Sequence, residues 1–575
     1  MLGDDLPIAS NIGTARNTAS INFNQGYYVY DTFHANARFT LDGGLRWEIP
    51  GAISEKHNLN TVFLPNLASP LGTILNPASG NSQTLHGNLA LVNSPSYPSR
   101  DDDIQHYHLI APNLGFALRA LRNTVVRGGY GMSFVSLDSQ IPSPTWSPII
   151  ALTTPALGPL SNPFPQINGI LPQPVGRDPN FAAALQGLAF TARVPGAKFP
   201  YVQQWNLNIQ HQLTSDSMFQ VGYQGSKGTH IELGSANINQ LPDSVAAQAA
   251  AQYQDLVSSG LSSTQADAQT FVNEQVSNPL AGRLAVGSAY NGATIAQGQL
   301  LRPYPQFGNM TNLATNAGTS SYHSLQATFQ NRFGSSGTFF AAYTWAKLMG
   351  TVDTVTGFLE GNTQGFVQDW NNLRGERSLE SFDVPHRLVL NYSVLLPVGR
   401  GQRWLRNVGD GLDRIVSGWR LSGITTFQSA FPLALSALPN DLVNNFGAGA
   451  SGLGMRPDRV PGCQAKKSGS AVSRLGEWFN TSCFVQPPTP FSFGNESRVD
   501  PQLRGQGINN WDLSIAKDTR INDRVQARFE AEFLSAFNRV QFGPPGLEAG
   551  TPLFGVVTST LNNPRQIQFA LRFNF

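Results

Sequence analysis

The last ten residues alternate without a break. Ile567, Phe569, Leu571, Phe573 and Phe575 fall on one side, and Gln566, Gln568, Ala570, Arg572 and Asn574 on the other. A period of two is the side-chain repeat of a β-strand, and ten residues match the roughly 9 to 11 that a tilted strand needs to cross a bilayer. The pattern recurs in residues 38–49, where Phe39, Leu41, Leu45, Trp47 and Ile49 oppose Arg38, Thr40, Asp42, Arg46 and Glu48, and again in 204–213, 322–333 and 387–394. Residues 524–533 set Val525, Ala527, Phe529, Ala531 and Phe533 against Arg524, Gln526, Arg528, Glu530 and Glu532. Five polar groups on one strand face need water or mutual pairing, and an apolar opposite face suits lipid; the wall of a water-filled membrane barrel supplies both.

Several strands come in pairs joined by short polar turns at 214–216, 334–337 and 521–523, the signature of hairpins. Between the hairpins lie long Pro/Gly/Asn/Ser-rich stretches at 50–105, 135–200, 226–320, 348–385 and 435–508. Short turns at one rim and long loops at the other is the asymmetry of outer-membrane barrels. Thirteen strands are predicted, beginning near residues 26, 37, 109, 124, 203, 217, 321, 338, 386, 416, 510, 523 and 566. Because bacterial barrels close with an even number, a further strand is expected. Tyr27, Tyr28, Tyr30, Trp47, Trp205, Tyr343, Trp345, Trp419 and Trp511 lie near strand ends, as interfacial girdles require. Residues 241–278 differ in texture: an Ala/Gln-rich run predicts one or two helices, with Asp243 or Ser244 as N-cap, in a solvated insertion. The predicted class is therefore all-β, a transmembrane antiparallel barrel with long extracellular loops and one small helical loop insertion. The predicted layout is an irregular segment over 1–25 and one barrel over 26–575.

Composition narrows the alternatives. Charged residues make up 13% of the 575, about half the share usual in soluble proteins, while Gly (56) and Pro (38) are plentiful. A formal charge of +2 with no basic block argues against a nucleic-acid partner. Met1-Leu2-Gly3-Asp4-Asp5 is acidic where a signal peptide carries positive charge, so no export signal is read in the chain. The two cysteines, Cys463 and Cys483, predict one structural disulfide across a long loop, two unpaired thiols being the alternative. No nucleophile elbow, phosphate loop or HExxH appears, so the chain is not read as an enzyme, and neither a cofactor nor a metal is expected. Asp101-Asp102-Asp103 beside His106 and His108 reads as a solvated loop rather than a calcium site, which needs more oxygen ligands at defined spacing. Gly128-Gly129-Tyr130-Gly131 reads as a bend or a close aromatic contact on a strand.

A family resemblance rests on particular runs. Pro200-Tyr201-Val202-Gln203-Gln204-Trp205-Asn206-Leu207, Val221-Gly222-Tyr223-Gln224-Gly225-Ser226-Lys227-Gly228-Thr229-His230, Leu301-Arg302-Pro303-Tyr304-Pro305-Gln306-Phe307 and Tyr343-Thr344-Trp345-Ala346-Lys347 resemble TonB-dependent receptors of the Oar-like, carboxypeptidase-regulatory-domain group. So do Asp383-Val384-Pro385-His386-Arg387 and Phe537-Asn538-Arg539-Val540-Gln541-Phe542-Gly543. The resemblance implies a barrel of about 22 strands, closed by an N-terminal plug and coupled through a TonB box to TonB, ExbB and ExbD. No plug or TonB box is read here, so the chain is expected to correspond to the C-terminal barrel portion. It further implies that the terminal strand, through Phe569, Leu571, Phe573 and Phe575, is the signal read by the barrel assembly machinery. The expected location is the cell outer membrane, with lipid and an extracellular ligand as partners. The expected function is binding and import of a bulky nutrient of siderophore, glycan or peptide class. The alternatives are an adhesion or structural barrel whose loops bind a partner, and a non-functional gene fragment.

Overall fold

The computed structural model describes residues 18–134, 177, 182, 186–233, 236–285, 288–313, 315–334, 336–352, 366–449, 455–522 and 524–575. The expected irregular N-terminal segment lies outside them up to residue 17. Within the rest of it, Ser20–Ile21 pairs with Ser54–Glu55.

Thirteen strands follow one another in a single antiparallel sheet: β1 (Gln25–Asn36), β2 (Phe39–Ile49), β3 (Leu109–Leu121), β4 (Thr124–Phe134), β5 (Tyr201–Gln212), β6 (Ser217–Ile231), β7 (Gly318–Arg332), β8 (Gly337–Gly350), β9 (His386–Leu395), β10 (Trp419–Gln428), β11 (Ile508–Arg520), β12 (Gln526–Leu534) and β13 (Gln566–Asn574). A two-residue strand, Ser378–Leu379, joins the end of β8. Every neighbour in the sheet is also the neighbour in sequence, a meander that needs no crossover. Among the described residues, no strand pairs with the outer edge of β1 or of β13. Among the described residues the only strand this sheet adds to the thirteen is the two-residue Ser378–Leu379, which brings its count to fourteen.

Register keeps the alternation coherent from strand to strand, since directly opposed residues point to the same face. Phe33 opposes Leu41, Leu41 opposes Phe116 and Phe116 opposes Gly128. Leu207 opposes Tyr223, Tyr223 opposes Leu325 and Leu325 opposes Trp345. Leu513, Phe533 and Ile567 form another such row. A one-residue slip anywhere would turn a row of apolar side chains onto the polar face, so the alternation itself pins the register. The glycine run on β4 fits the wall for a steric reason. A Cβ on Gly128 would stand 2.4 Å from the Phe116 ring, so the aromatic contact requires glycine.

Where the apolar core lies is informative. The only buried apolar residues contributed by the thirteen strands are Ala111, Ala346, Ala516 and Ala531. The larger buried side chains, such as Phe63, Phe307, Phe479 and Phe491, belong to connections. A sheet whose big apolar side chains stay uncovered is built to meet lipid rather than a second layer of protein.

Connections alternate in kind. After β1, β3, β5, β7 and β11 the chain turns within at most five residues, while after β2, β4, β6, β8, β10 and β12 it runs through long loops. All six long loops therefore share one rim. The sixth, over 535–565, was not among the predicted long stretches. On the opposite rim the β9–β10 connection, over 396–418, departs from the short-turn pattern and carries the helix Asp410–Val416.

Candidate functional site

Two features can contact a solute: the polar face of the wall and the layer of folded loops at one rim. On β11–β13 the polar face is built from acids and bases in register. Glu532 opposes Ser514 and Gln568, and Arg528 opposes Asp518 and Arg572. Ser514 donates to Glu530 at 3.0 Å, and Arg528 lies 3.7 Å from Glu530, so the polar groups partly pair among themselves. On β3–β7 the same face is amide-rich and basic. Near the short-turn rim, Arg119, Arg122, Arg127 and Arg332 share with Gln210 and Gln330 a cavity of about 520 Å³. Among the described residues none of these four guanidiniums meets a carboxylate. At the loop end, Tyr322, Gln326, Thr344, Arg387 and Gln428 line a second polar cavity of about 640 Å³, roofed by Phe382 and Phe431.

The girdle expectation needs a correction. Tyr27 opposes Trp47 and so shares the apolar face, but Tyr28 opposes Arg46 and Tyr30 opposes Gly44, which places both on the polar face. Adjacent strand residues cannot all face lipid. Two histidines add to the aromatic row at the long-loop rim. Tyr223 Oη bonds His323 Nδ1 at 2.7 Å, and Tyr343 Oη bonds His386 Nδ1 at 2.9 Å.

The loops are not irregular coils. The first loop contains a hairpin, Thr61–Asn76 with Asn81–Leu91, whose Phe63, Leu89 and Leu91 pack with Ala182, Ala192, Phe307 and Met310 from the second and third loops. In the third loop, α1 (Asp243–Ser258) and α2 (Ser263–Ala268) bury Ala246, Ala249, Tyr253 and Ala266 against Leu442, Phe446, Met455 and Phe491 of the fifth. This corrects the expectation of a solvated insertion, because the small face of α1 is a packing face. Pro242, not Asp243 or Ser244, takes the N-cap position, and Asp243 opens the helix. Leu433, Trp478, Phe479 and Phe484 of the fifth loop pack on Leu547 and Phe554 of the sixth. There Cys463 and Cys483 are bonded, with Cα atoms 5.4 Å apart.

Polar contacts interlock the same layer. Arg302, buried and, among the described residues, without a carboxylate partner, donates to Asn239 O at 2.6 Å, Gln299 Oε1 at 3.1 Å and Asn309 Oδ1 at 2.9 Å, and burial, opposed by the Tyr290 phenol, lowers its pKa to about 10. Asn239 in turn donates to the carbonyls of Tyr304, Phe307 and Gly308, so the Leu301–Phe307 run is the brace of the third loop. Arg456 Nη2 of the fifth loop meets Glu376 Oε1 of the fourth at 2.5 Å, with both residues at most 4% exposed. Burial pushes Glu376 up and Arg456 down, each opposed by the other's charge. Asp383 holds the Leu348 amide and pairs with Arg504. Asn538, at a positive φ of 49°, accepts from the Arg565 amide and so closes the sixth loop.

The Asp101–Asp103 run also departs from expectation. Asp102 is buried, and Arg193 of the second loop lies 3.9 Å from it and 3.5 Å from Asp103. An arginine clasp between loops, rather than a solvated tip, explains Asp102 and Asp103. Burial and these carboxylates raise Tyr97 to about 12. Among the described residues no three His, Cys, Asp or Glu gather as a metal site.

With the wall and its loops in view, the comparison of sequences decides the family. Residues 4–568 match the outer membrane beta barrel domain. The chain belongs to that family. No curated protein matches the sequence. Solved structures similar to this outer membrane barrel include the outer membrane transporter YddB from Escherichia coli, at 8% identity and a TM-score of 0.38 over 97% of this chain and 54% of that one. The ferripyoverdine receptor of the outer membrane of Pseudomonas aeruginosa is similar at 10% identity and a TM-score of 0.38, over 98% and 40%. The ferric citrate transporter FecA is similar at 8% and 0.37, over 97% and 45%. The chain spans about half of their length or less.

Proposed function

We propose that this outer membrane barrel binds a bulky nutrient at its loop layer and admits it along the polar wall, as part of a TonB-dependent receptor whose plug and TonB box lie outside this chain. The single observation that carries the reading is the two-sided wall with all six long loops on one rim, which gives a solute a folded entrance and a polar path. Short turns face the periplasm and loops face outside, the usual orientation of such barrels. Residues 26–575 act as one barrel unit. The terminal strand, with Phe569, Leu571, Phe573 and Phe575, serves as the assembly signal. Siderophore, glycan and peptide ligands all remain compatible with amide-rich and basic lining.

The test is uptake by cells carrying the chain joined to its own upstream coding sequence. Energy-dependent accumulation of a nutrient, abolished by loss of TonB, is the expected result. Uptake unchanged when the gene is deleted across a panel of siderophores, oligosaccharides and peptides would overturn it. The packed loop layer also favours a second reading, a surface barrel whose loops hold a partner while no solute passes. Cell adhesion lost on deletion, with every uptake rate unchanged, would select that reading.

A further inference from the structure

At one place the loop layer overhangs the lipid-facing side of the wall. Met349, on the apolar face of β8, packs with Leu379 of the fourth loop and with Ala434 and Val499 of the fifth. Beneath this overhang is a cavity of about 790 Å³, several times roomier in apolar than in polar lining, with Leu325, Trp345, Met349, Leu379, Val499 and Pro501 among its walls. Its volume falls within the roughly 300 to 1,000 Å³ of ligand pockets. Trp345 and Leu325 remain 55% and 42% exposed, so the overhang shelters the space without filling it.

Position and charge indicate the occupant. Leu325 and Trp345 oppose each other in the apolar row that faces lipid, so the cavity is continuous with the membrane surface of the barrel. One step towards the loop rim on the same face, Lys347 opposes His323. Lys347 is exposed at the cavity edge and, among the described residues, meets no carboxylate. Arg377, also at the edge, is exposed and, among the described residues, has only the Ser321 hydroxyl, at 3.3 Å, as a side-chain partner. The remaining cation at the edge, Arg504, is held by Asp383 and by the carbonyls of Asp383 and Ala430, and so fixes the wall rather than offering a charge. An apolar slot opening to lipid, with two uncommitted cations at headgroup height, complements acyl chains beneath an anionic head.

We propose that this groove binds a phosphate-bearing, multiply acylated lipid of the leaflet at the long-loop rim. Its chains would lie along Leu325, Trp345 and Pro501, and its phosphate would meet Lys347 and Arg377. A bound lipid there would fasten the fourth and fifth loops to the wall. The assignment rests on the family and on the apolar face; only the choice of leaflet depends on the orientation proposed above.

The experiment is native mass spectrometry of the folded chain in detergent, titrated in separate arms with lipid A, dephosphorylated lipid A, phosphatidylglycerol and inorganic phosphate. One lipid A adduct is expected, about tenfold weaker for the dephosphorylated form and about tenfold weaker for the double variant Lys347→Gln, Arg377→Gln, with no phosphate adduct. Leu325→Asn, which makes the exposed apolar wall of the slot polar and leaves the cations, should lose lipid A to a similar extent. Retention of phosphatidylglycerol in preference to lipid A would uphold the groove and reverse the orientation. Equal lipid A binding by wild type, the double variant and Leu325→Asn would overturn the proposal. So would equal binding of the two lipid A forms. A heat-shifted band on electrophoresis verifies that each variant is folded.

Discussion

Arg456→Met should loosen the loop layer while leaving the barrel wall intact. In the wild type the guanidinium meets Glu376 Oε1 at 2.5 Å and also donates to Glu496 O at 3.3 Å. Glu376 is 1% exposed, so the substitution leaves a carboxylate in a site closed to water. The Gln368 amide still donates to that carboxylate at 3.3 Å, and Arg498, whose Nε donates to the Glu376 carbonyl at 3.1 Å, is the cation that remains beside it. Breaking a buried pair by removing one member costs about 3 to 5 kcal/mol. At roughly 1.4 kcal/mol per tenfold, opening of the fourth and fifth loops becomes some 10² to 10⁴ times more frequent. Limited proteolysis of folded protein in detergent reads this directly, because cleavage tracks the open population when opening and closing are fast.

The sign of the pH effect follows from the raised pKa. Burial already lifts the Glu376 pKa, and losing Arg456 removes the larger of the two charges, its own and that of Arg498, that oppose this lift. A carboxyl whose folded-state pKa is raised holds its proton more tightly when folded, so stability is lost as pH climbs from the unfolded value through the folded one. The variant should therefore be cleaved faster at pH 7.5 than at pH 5. Glu376→Leu combined with Arg456→Met, which removes both charges, should recover most of the loss. Cleavage of Arg456→Met within threefold of wild type at pH 7.5 would refute the reasoning.

Three other outcomes are expected. Cys463→Ala with Cys483→Ala should cost the fifth loop about 3 kcal/mol through the freer open chain, seen as faster amide exchange over 460–484 and unchanged exchange in α1; equal exchange throughout would contradict this. Asp267 is held at about pH 6, mainly by burial and then by neighbouring Asp441, and the Asn273 amide donates to both carboxylates. Because that pKa is raised, the α2 contact should weaken as pH rises from about 4 to 6, and Asp441→Asn should flatten the profile; a profile identical to wild type would sink the coupling. Deleting Phe575, which is 95% exposed and bonded to no strand, should lower the yield of folded protein in outer membranes without altering wall stability once folded. Undiminished yield would remove its role in assembly.

Much of the wall was legible residue by residue. The predicted starts near 109, 124, 217, 386 and 566 coincide with those of β3, β4, β6, β9 and β13. Alternation failed as a guide where a residue lies next to the face it was assigned to, as with Tyr28 and Tyr30. The sixth loop was missed although Gly543-Pro544-Pro545-Gly546 marks its break from strand. Inside the loops the signal was weak. The Ala/Gln texture of 243–258 betrays a helix, yet nothing near it announces Phe446 or Phe491 as its partners, since they lie about two hundred residues away. Glu376 and Arg456 look like ordinary surface charges in isolation. So do Asp102, which reads as part of a solvated loop, and Arg193.

The chain alone thus discloses strands and the side each residue takes, because a pleated backbone turns successive side chains to opposite faces and a membrane wall demands contrasting chemistry on the two. That code is local and repeats every two residues. Folding alone decides which loops meet, which charges are buried and where the overhang forms against lipid. Those outcomes come from contacts between segments far apart in sequence, and burial, which gives an arginine or a phenylalanine its role, belongs to the assembled layer and to no single stretch.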